Sequence, residues 1–159
     1  MSPASAALAN PTLAAAVECA RHGLPVYPAR VRGKAPLYRG WQRAATSKPE
    51  HLVKMWSRAP HANIGIACRN LTVLDADSDR GVDAVEELGL PETTTVRTAR
   101  RNHYYLLGRG PTAPNLLPEW RSGGSRSGVL GPGSVHPSGF EHAWEIPRGR
   151  SRPSPSRPS

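Results

Sequence analysis

Asp75 and Asp77 stand one residue apart at the end of an apolar, β-branched run made of Leu71, Thr72, Val73 and Leu74. Alternate side chains of an extended chain share a face, so both carboxylates point the same way. Like charges gathered at the end of a buried strand repel and lose hydration, a cost that a cation or strong donors between them must offset. Oxygen-only ligands favour Mg²⁺ or Mn²⁺, ions that keep positions open for water and phosphate oxygens. The competing explanation is an ordinary acidic turn after a strand. A calcium loop fails on spacing: Asp75, Asp77, Asp79 and Glu86 fit, but Arg80 holds the sixth place, where the sharp turn needs Gly, and the segment before it is a strand.

Three further groups could join the carboxylates. His103 opens a strand-like segment beside Arg97, Arg100 and Arg101, which are candidate anion contacts. Gly131, Gly133, Ser134 and His136 form a tight turn in which backbone amides and a hydroxyl could meet a phosphate, although a plain turn between strands explains them as well. Lys34 lies in a basic loop, where a lysine is more often simply solvated than bound to phosphate. Neither Cys19 nor Cys68 is near a His in sequence, and no strand-elbow Ser motif occurs. Together these parts suit metal-assisted chemistry on a phosphate-bearing substrate.

The elements that must position these groups follow from pattern. Leu13, Ala16, Val17 and Ala20 recur at helical spacing, and Gly23 stops that helix. Residues 24–28 form a short strand. Ser47 is expected to cap a second helix, with Glu50 three residues later and Leu52, Val53 and Trp56 on its apolar face. Residues 63–68 and 71–74 are strands, so closely joined that a hairpin is expected. Residues 81–88 form a short helix. Residues 93–98 and 103–107 make a second hairpin around the basic turn at 99–102. Residues 108–120 read as Pro-rich loop, 121–128 as a flexible basic turn, 129–130 as a short strand and 140–146 as a final strand.

A chain of 159 residues suits one domain. A net charge of +9 favours polyanionic partners, nucleic acid or nucleotides first. Residues 1–11 are expected to be flexible, 12–147 to form the domain, and 148–159 to be a disordered basic tail of Arg, Ser and Pro. Two cysteines are too few for a disulfide scaffold and read as small buried residues. No run is long enough to span a membrane, and residues 4–9 lack the basic region of a signal peptide, so a soluble, cytoplasmic protein is expected.

Taken in order, His22 to Pro28, Lys34 to Pro36, Trp41, Trp56, Ala62 to Ile66, Val73 to Asp77, Thr98 to Tyr105 and Gly131 to Gly139 resemble the bifunctional DNA primase/polymerase N-terminal domain. That domain belongs to the archaeo-eukaryotic primase superfamily and occurs in replication proteins of plasmids, phages and bacterial mobile elements. The resemblance runs from about residue 13 to 144 and rests on the ordered set of motifs. It implies an α/β (α+β) fold of mostly antiparallel hairpins flanked by helices around a central cleft. It also implies template-dependent nucleotidyl transfer with Mg²⁺ or Mn²⁺. Asp75 and Asp77 would be the first-motif metal ligands and His103 the second-motif contact to nucleotide phosphates. Arg121, Lys34, Ser134 and Arg101 would also meet the nucleotide. Template and primer DNA and nucleoside triphosphates would be the partners, with a replicative helicase as a further candidate.

This sequence departs from the pattern in two places. Arg100, Arg101 and Asn102 replace the small-residue turn before the His. Trp120 falls where the third motif has Asp, and Glu119 precedes it by one residue. A one-residue shift in a strand turns a side chain to the other face, so Glu119 would reach the metal only if a bulge re-aimed it. The alternative function is therefore a degenerate or truncated relative that binds nucleotide or DNA without catalysis. The absence of the helical or helicase parts that often follow this domain favours the same alternative.

Overall fold

The computed structural model describes residues 2–108, 116–122 and 127–146. The tail expected at 148–159 lies outside the described residues, as do the middle of the 121–128 turn and most of the Pro-rich loop. The first helix, α1 (Pro3–Ala9), occupies most of the segment expected to be flexible. Ser2 caps it and Ala6 is buried in the main core.

Helix α2 (Pro11–Arg21) buries Leu13, Ala16, Val17, Cys19 and Ala20, the expected stripe and its neighbour. Asn10 caps it through hydrogen bonds from Thr12 and Leu13. Gly23, at φ 77°, takes the left-handed conformation that ends the helix. Strand β1 (Val26–Ala29) and a short helix α3 (Trp41–Ala44) follow, then α4 (Pro49–Arg58). Ser47 does not cap α4: the cap position is Lys48, whose N–H donates to Thr46 Oγ1 at 3.1 Å, and Pro49 opens the first turn. A proline there removes a donor that would otherwise lack a partner, so the helix begins without a side-chain cap.

Strands β2 (Asn63–Ala67) and β3 (Leu71–Ala76) do not form the expected hairpin. Beyond β3 lie helix α5 (Asp79–Glu87), β4 (Thr94–Arg97), β5 (Asn102–Leu107), β6 (Glu119–Ser122), β7 (Gly128–Leu130) and β8 (Ala143–Ile146). One antiparallel sheet runs β1-β2-β7 and the other β6-β3-β5-β4-β8. Both edges of β2 and of β3 are occupied by these other strands, so neither has an edge left for the other. Residues 68–70 simply carry the chain from one sheet to the next. The hairpin expected from β4 and β5 does form. The architecture is α+β, antiparallel sheets flanked by helices.

Pairing fixes the faces of the larger sheet, because residues directly opposite each other point to the same side. Leu71, Val73, Val96 and Tyr105 face the main core with α2, α4 and the smaller sheet. Leu74, Ala76, Tyr104, Leu106 and Trp120 face the other way, onto Val82 and Val85 of α5. In the smaller sheet the Tyr27 ring lies over its partner Gly65, and a Cβ there would run into the ring. Tyr27 is itself pinned by Trp41, with centroids 4.4 Å apart. Gly65→Ala is expected to destabilise by about 1–3 kcal/mol, the range of overpacked cores, as read from the urea midpoint.

Candidate active site

The antiparallel register brings distant residues into one row. Glu119 lies opposite Asp75 in the β3–β6 pair, and Asp75 lies opposite His103 in the β3–β5 pair. All three therefore project from the same face at the same end of the sheet. Trp120 lies opposite Leu74 and belongs to the α5 face. The expectation that Glu119 turns away is thus corrected without a bulge. Residue 119 has the parity that faces Asp75, and 120 has the parity of the apolar face. The segment read as loop up to residue 120 is strand from Glu119 onward.

A cavity of about 360 Å³ opens at this row, lined by Asp75, Asp77, Glu119, Arg121, His103 and Lys34 among others. Basic side chains stand against each carboxylate. His103 Nε2 lies 3.3 Å from Asp75 Oδ1 and Arg121 Nε lies 3.5 Å from Asp75 Oδ2. Arg121 Nη2 also reaches Glu119 Oε2 at 2.8 Å, and Arg100 Nη1 lies 3.6 Å from Asp77 Oδ2. Burial alone would raise the Asp75 carboxyl, but the His103 hydrogen bond and the charges of His103, Arg121 and Lys34 outweigh it and hold the group below its ordinary value.

Not every residue singled out from the sequence reaches this cavity. Ser134 is fully buried, its hydroxyl accepting from the Ile64 N–H and donating to the Ile64 carbonyl, both at 2.9 Å. It fastens a turn to β2 and has no hydroxyl to offer a nucleotide. Arg101 points to α5, where it pairs with Asp79 at 2.6 Å, and Arg100 lines the cavity in its place. The parity of a tight turn decides which of two adjacent arginines faces inward. Cys19 and Cys68 are free and buried, and burial pushes both thiols up to about 12, which removes them as nucleophiles.

Two cavity histidines had little or no signal in the sequence. His136 closes the Gly-rich turn, and His142 sits in a segment that reads only as a strand. The His142 ring lies edge-on to His103, with centroids 5.9 Å apart. His103 Nδ1 and His142 Nε2 are buried with no hydrogen-bond partner among the described residues. Such atoms cost about 1–3 kcal/mol each unless a ligand or water meets them, so they mark a face built for a polar guest.

Burial, reinforced by the His103 charge, lowers the His142 pKa to about 4. An unfolded His takes up its proton near 6.5. Between these values the unfolded state binds more protons, so stability falls as pH drops from about 6.5 to 4. This contribution is on the order of 2–3 kcal/mol. Urea unfolding at stepped pH should show the loss, and His142→Gln should flatten it.

The sequence of residues 16–158 matches the family described as "Bifunctional DNA primase/polymerase, N-terminal". The chain belongs to that family. No curated protein matches it. For a primase/polymerase N-terminal domain the family-level activity is nucleotidyl transfer, which implies binding of DNA and nucleotide, and such domains generally use divalent metals. The oxygen-only donors Asp75, Asp77 and Glu119 suit such ions, and all three line one cavity. Among the described residues no three of His, Cys, Asp and Glu are already gathered as a metal-holding cluster. Arg100 and Arg121 stand against the carboxylates instead. No helix among the described residues is long and apolar enough to cross a membrane.

Proposed function

We propose that this domain extends DNA primers on a template strand, with Asp75, Asp77 and Glu119 holding Mg²⁺ or Mn²⁺. The row Glu119, Asp75, His103 across three adjacent strands is the observation that supports this reading. When bound, the metal ions would favour the deprotonated primer hydroxyl and neutralise charge on the triphosphate. The protein's own groups do the rest. His103, kept in place by Asp75, lines the cavity with the cations Arg121 and Lys34, and the three orient the triphosphate. Arg121, which bridges Asp75 and Glu119, would exchange those carboxylates for phosphate oxygens, a planar fork suiting either partner. Arg100 would do the same beside Asp77. Nothing among the described residues supports a helicase partner.

Primer extension on a primed single-stranded template in Mn²⁺ or Mg²⁺ tests this directly. Extension that disappears on chelation is expected. DNA and nucleotide binding without any extension would instead support the non-catalytic relative.

A further inference from the structure

Two hairpins stand at the lip of the cavity. In the first, Ala29 bridges Pro36, the Arg30 N–H donates to the Ala35 carbonyl at 2.9 Å, and the Leu37 N–H to the Pro28 carbonyl at 3.1 Å. In the second, the Gly133 N–H donates to the His142 carbonyl at 2.7 Å, the His142 N–H to the Ser134 carbonyl at 2.9 Å, and the His136 N–H to the Phe140 carbonyl at 2.8 Å. The buried Asn63 amide ties them together. Its Nδ2 donates to the Gly33 carbonyl at 3.0 Å and to the Val135 carbonyl at 2.7 Å, and its Oδ1 accepts from the Val135 N–H at 2.9 Å. Because Asn63 begins β2, the pair is anchored to the smaller sheet.

Lys34 and His136 of these hairpins line the cavity, but Arg32 and Phe140 do not. A Cβ on Gly139 would lie 3.5 Å from Arg32 Nη2, so the Arg32 guanidinium rests against the tip of the second hairpin, one residue from Phe140. Phe140, the single Phe of the chain, is 38% exposed. Arg32 is the one non-glycine residue with positive φ among the described residues, at 50°. The two hairpins together carry Arg30, Arg32 and Lys34 against one carboxylate, Glu141.

We propose that this lip grips the single-stranded template beside the site, Arg32 taking a backbone phosphate and Phe140 stacking on an unpaired base. The proposal rests on the reading of the cavity as a nucleotidyl-transfer site. An aromatic ring open to solvent, one residue along the chain from the glycine that meets a guanidinium, on hairpins that carry more cations than carboxylates, suits stacking and phosphate contact with a single strand without reading its sequence. Anchoring through Asn63 keeps both groups at a fixed offset from Lys34 and His136. The same hairpins then serve template outside and nucleotide inside.

Fluorescence anisotropy of the full chain with labelled oligo(dT) tests this, beside binding of a nucleoside triphosphate with Mn²⁺. Arg32→Gly keeps the positive φ accessible while removing the charge, so its fold is preserved. It should weaken DNA binding and reduce the slope of log affinity against log salt by about 0.7. Phe140→Ala should weaken binding about 5- to 150-fold with the slope unchanged, and Phe140→Trp should restore it. Nucleotide affinity should be unchanged in all three. Wild-type DNA affinity that survives both substitutions, or a loss confined to nucleotide, overturns the template lip alone. A wild-type chain that binds neither DNA nor nucleotide overturns the lip together with the reading beneath it.

Discussion

Asp75→Asn should reduce primer extension by about 10³-fold or more while leaving the fold intact, since metal ions at a transferring phosphoryl group supply several kcal/mol and each 1.36 kcal/mol is tenfold in rate. The carboxamide fills the same space in the row between Glu119 and His103 but offers no anionic oxygen. Glu119→Gln should lose activity on the same scale, because residue 119 shares the face of Asp75. Trp120→Phe should leave the extension rate near wild type and lower stability modestly, since Trp120 packs on the α5 side of the sheet. The reverse result, with Trp120 essential and Glu119 dispensable, would refute the three-carboxylate reading. Triphosphate affinity without metal should be kept in Asp75→Asn, because removing that charge releases His103 and Arg121 from an anionic partner. A matched loss of binding and rate would mean that Asp75 acts only as a structural anchor for those cations.

Trp56→Ala is expected to cost about 3–5 kcal/mol, the usual range for truncating a buried aromatic, which is a large share of the roughly 5–15 kcal/mol of a typical domain. The Trp56 side chain is 1% exposed within the main core, and its indole N–H donates to the Ala62 carbonyl at 3.2 Å. Ala62 is followed by Asn63, so the same substitution loosens the entry into β2 and the residue that ties the two lip hairpins. Urea denaturation should show a lower midpoint with a similar slope. Trp56→Phe, which keeps most of the apolar area but not the donor, should cost less. Equal losses in the two variants would assign the effect to the hydrogen bond and contradict the packing argument.

Local pattern determined much of this protein. Helical spacing from Leu13 to Ala20 marked the stripe that α2 buries, and Gly23 marked its end. The β4–β5 hairpin followed from two strand-like runs around a short basic turn. The run into Asp75 and Asp77 placed both carboxylates at a strand end, and both line the cavity. These features depend on neighbours a few residues apart, where periodicity and turn chemistry act.

Only the tertiary structure decided what faces those carboxylates. The contact between β3 and β6 joins residues 44 to 50 positions apart, and its register, which one residue either way would invert, set Glu119 toward Asp75 and Trp120 toward α5. The pairing of β2 with β1 and β7 overrode the hairpin that proximity favoured and opened a second sheet. Burial against β2 turned Ser134 from a candidate ligand into a fastener. Packing brought His142 to the cavity from a strand-like segment with no chemical signal of its own. The physical reason is common to all four. A strand's own sequence fixes which residues share a face, but which strand lies beside it, and in what register, is chosen by the burial and hydrogen bonding of the whole chain.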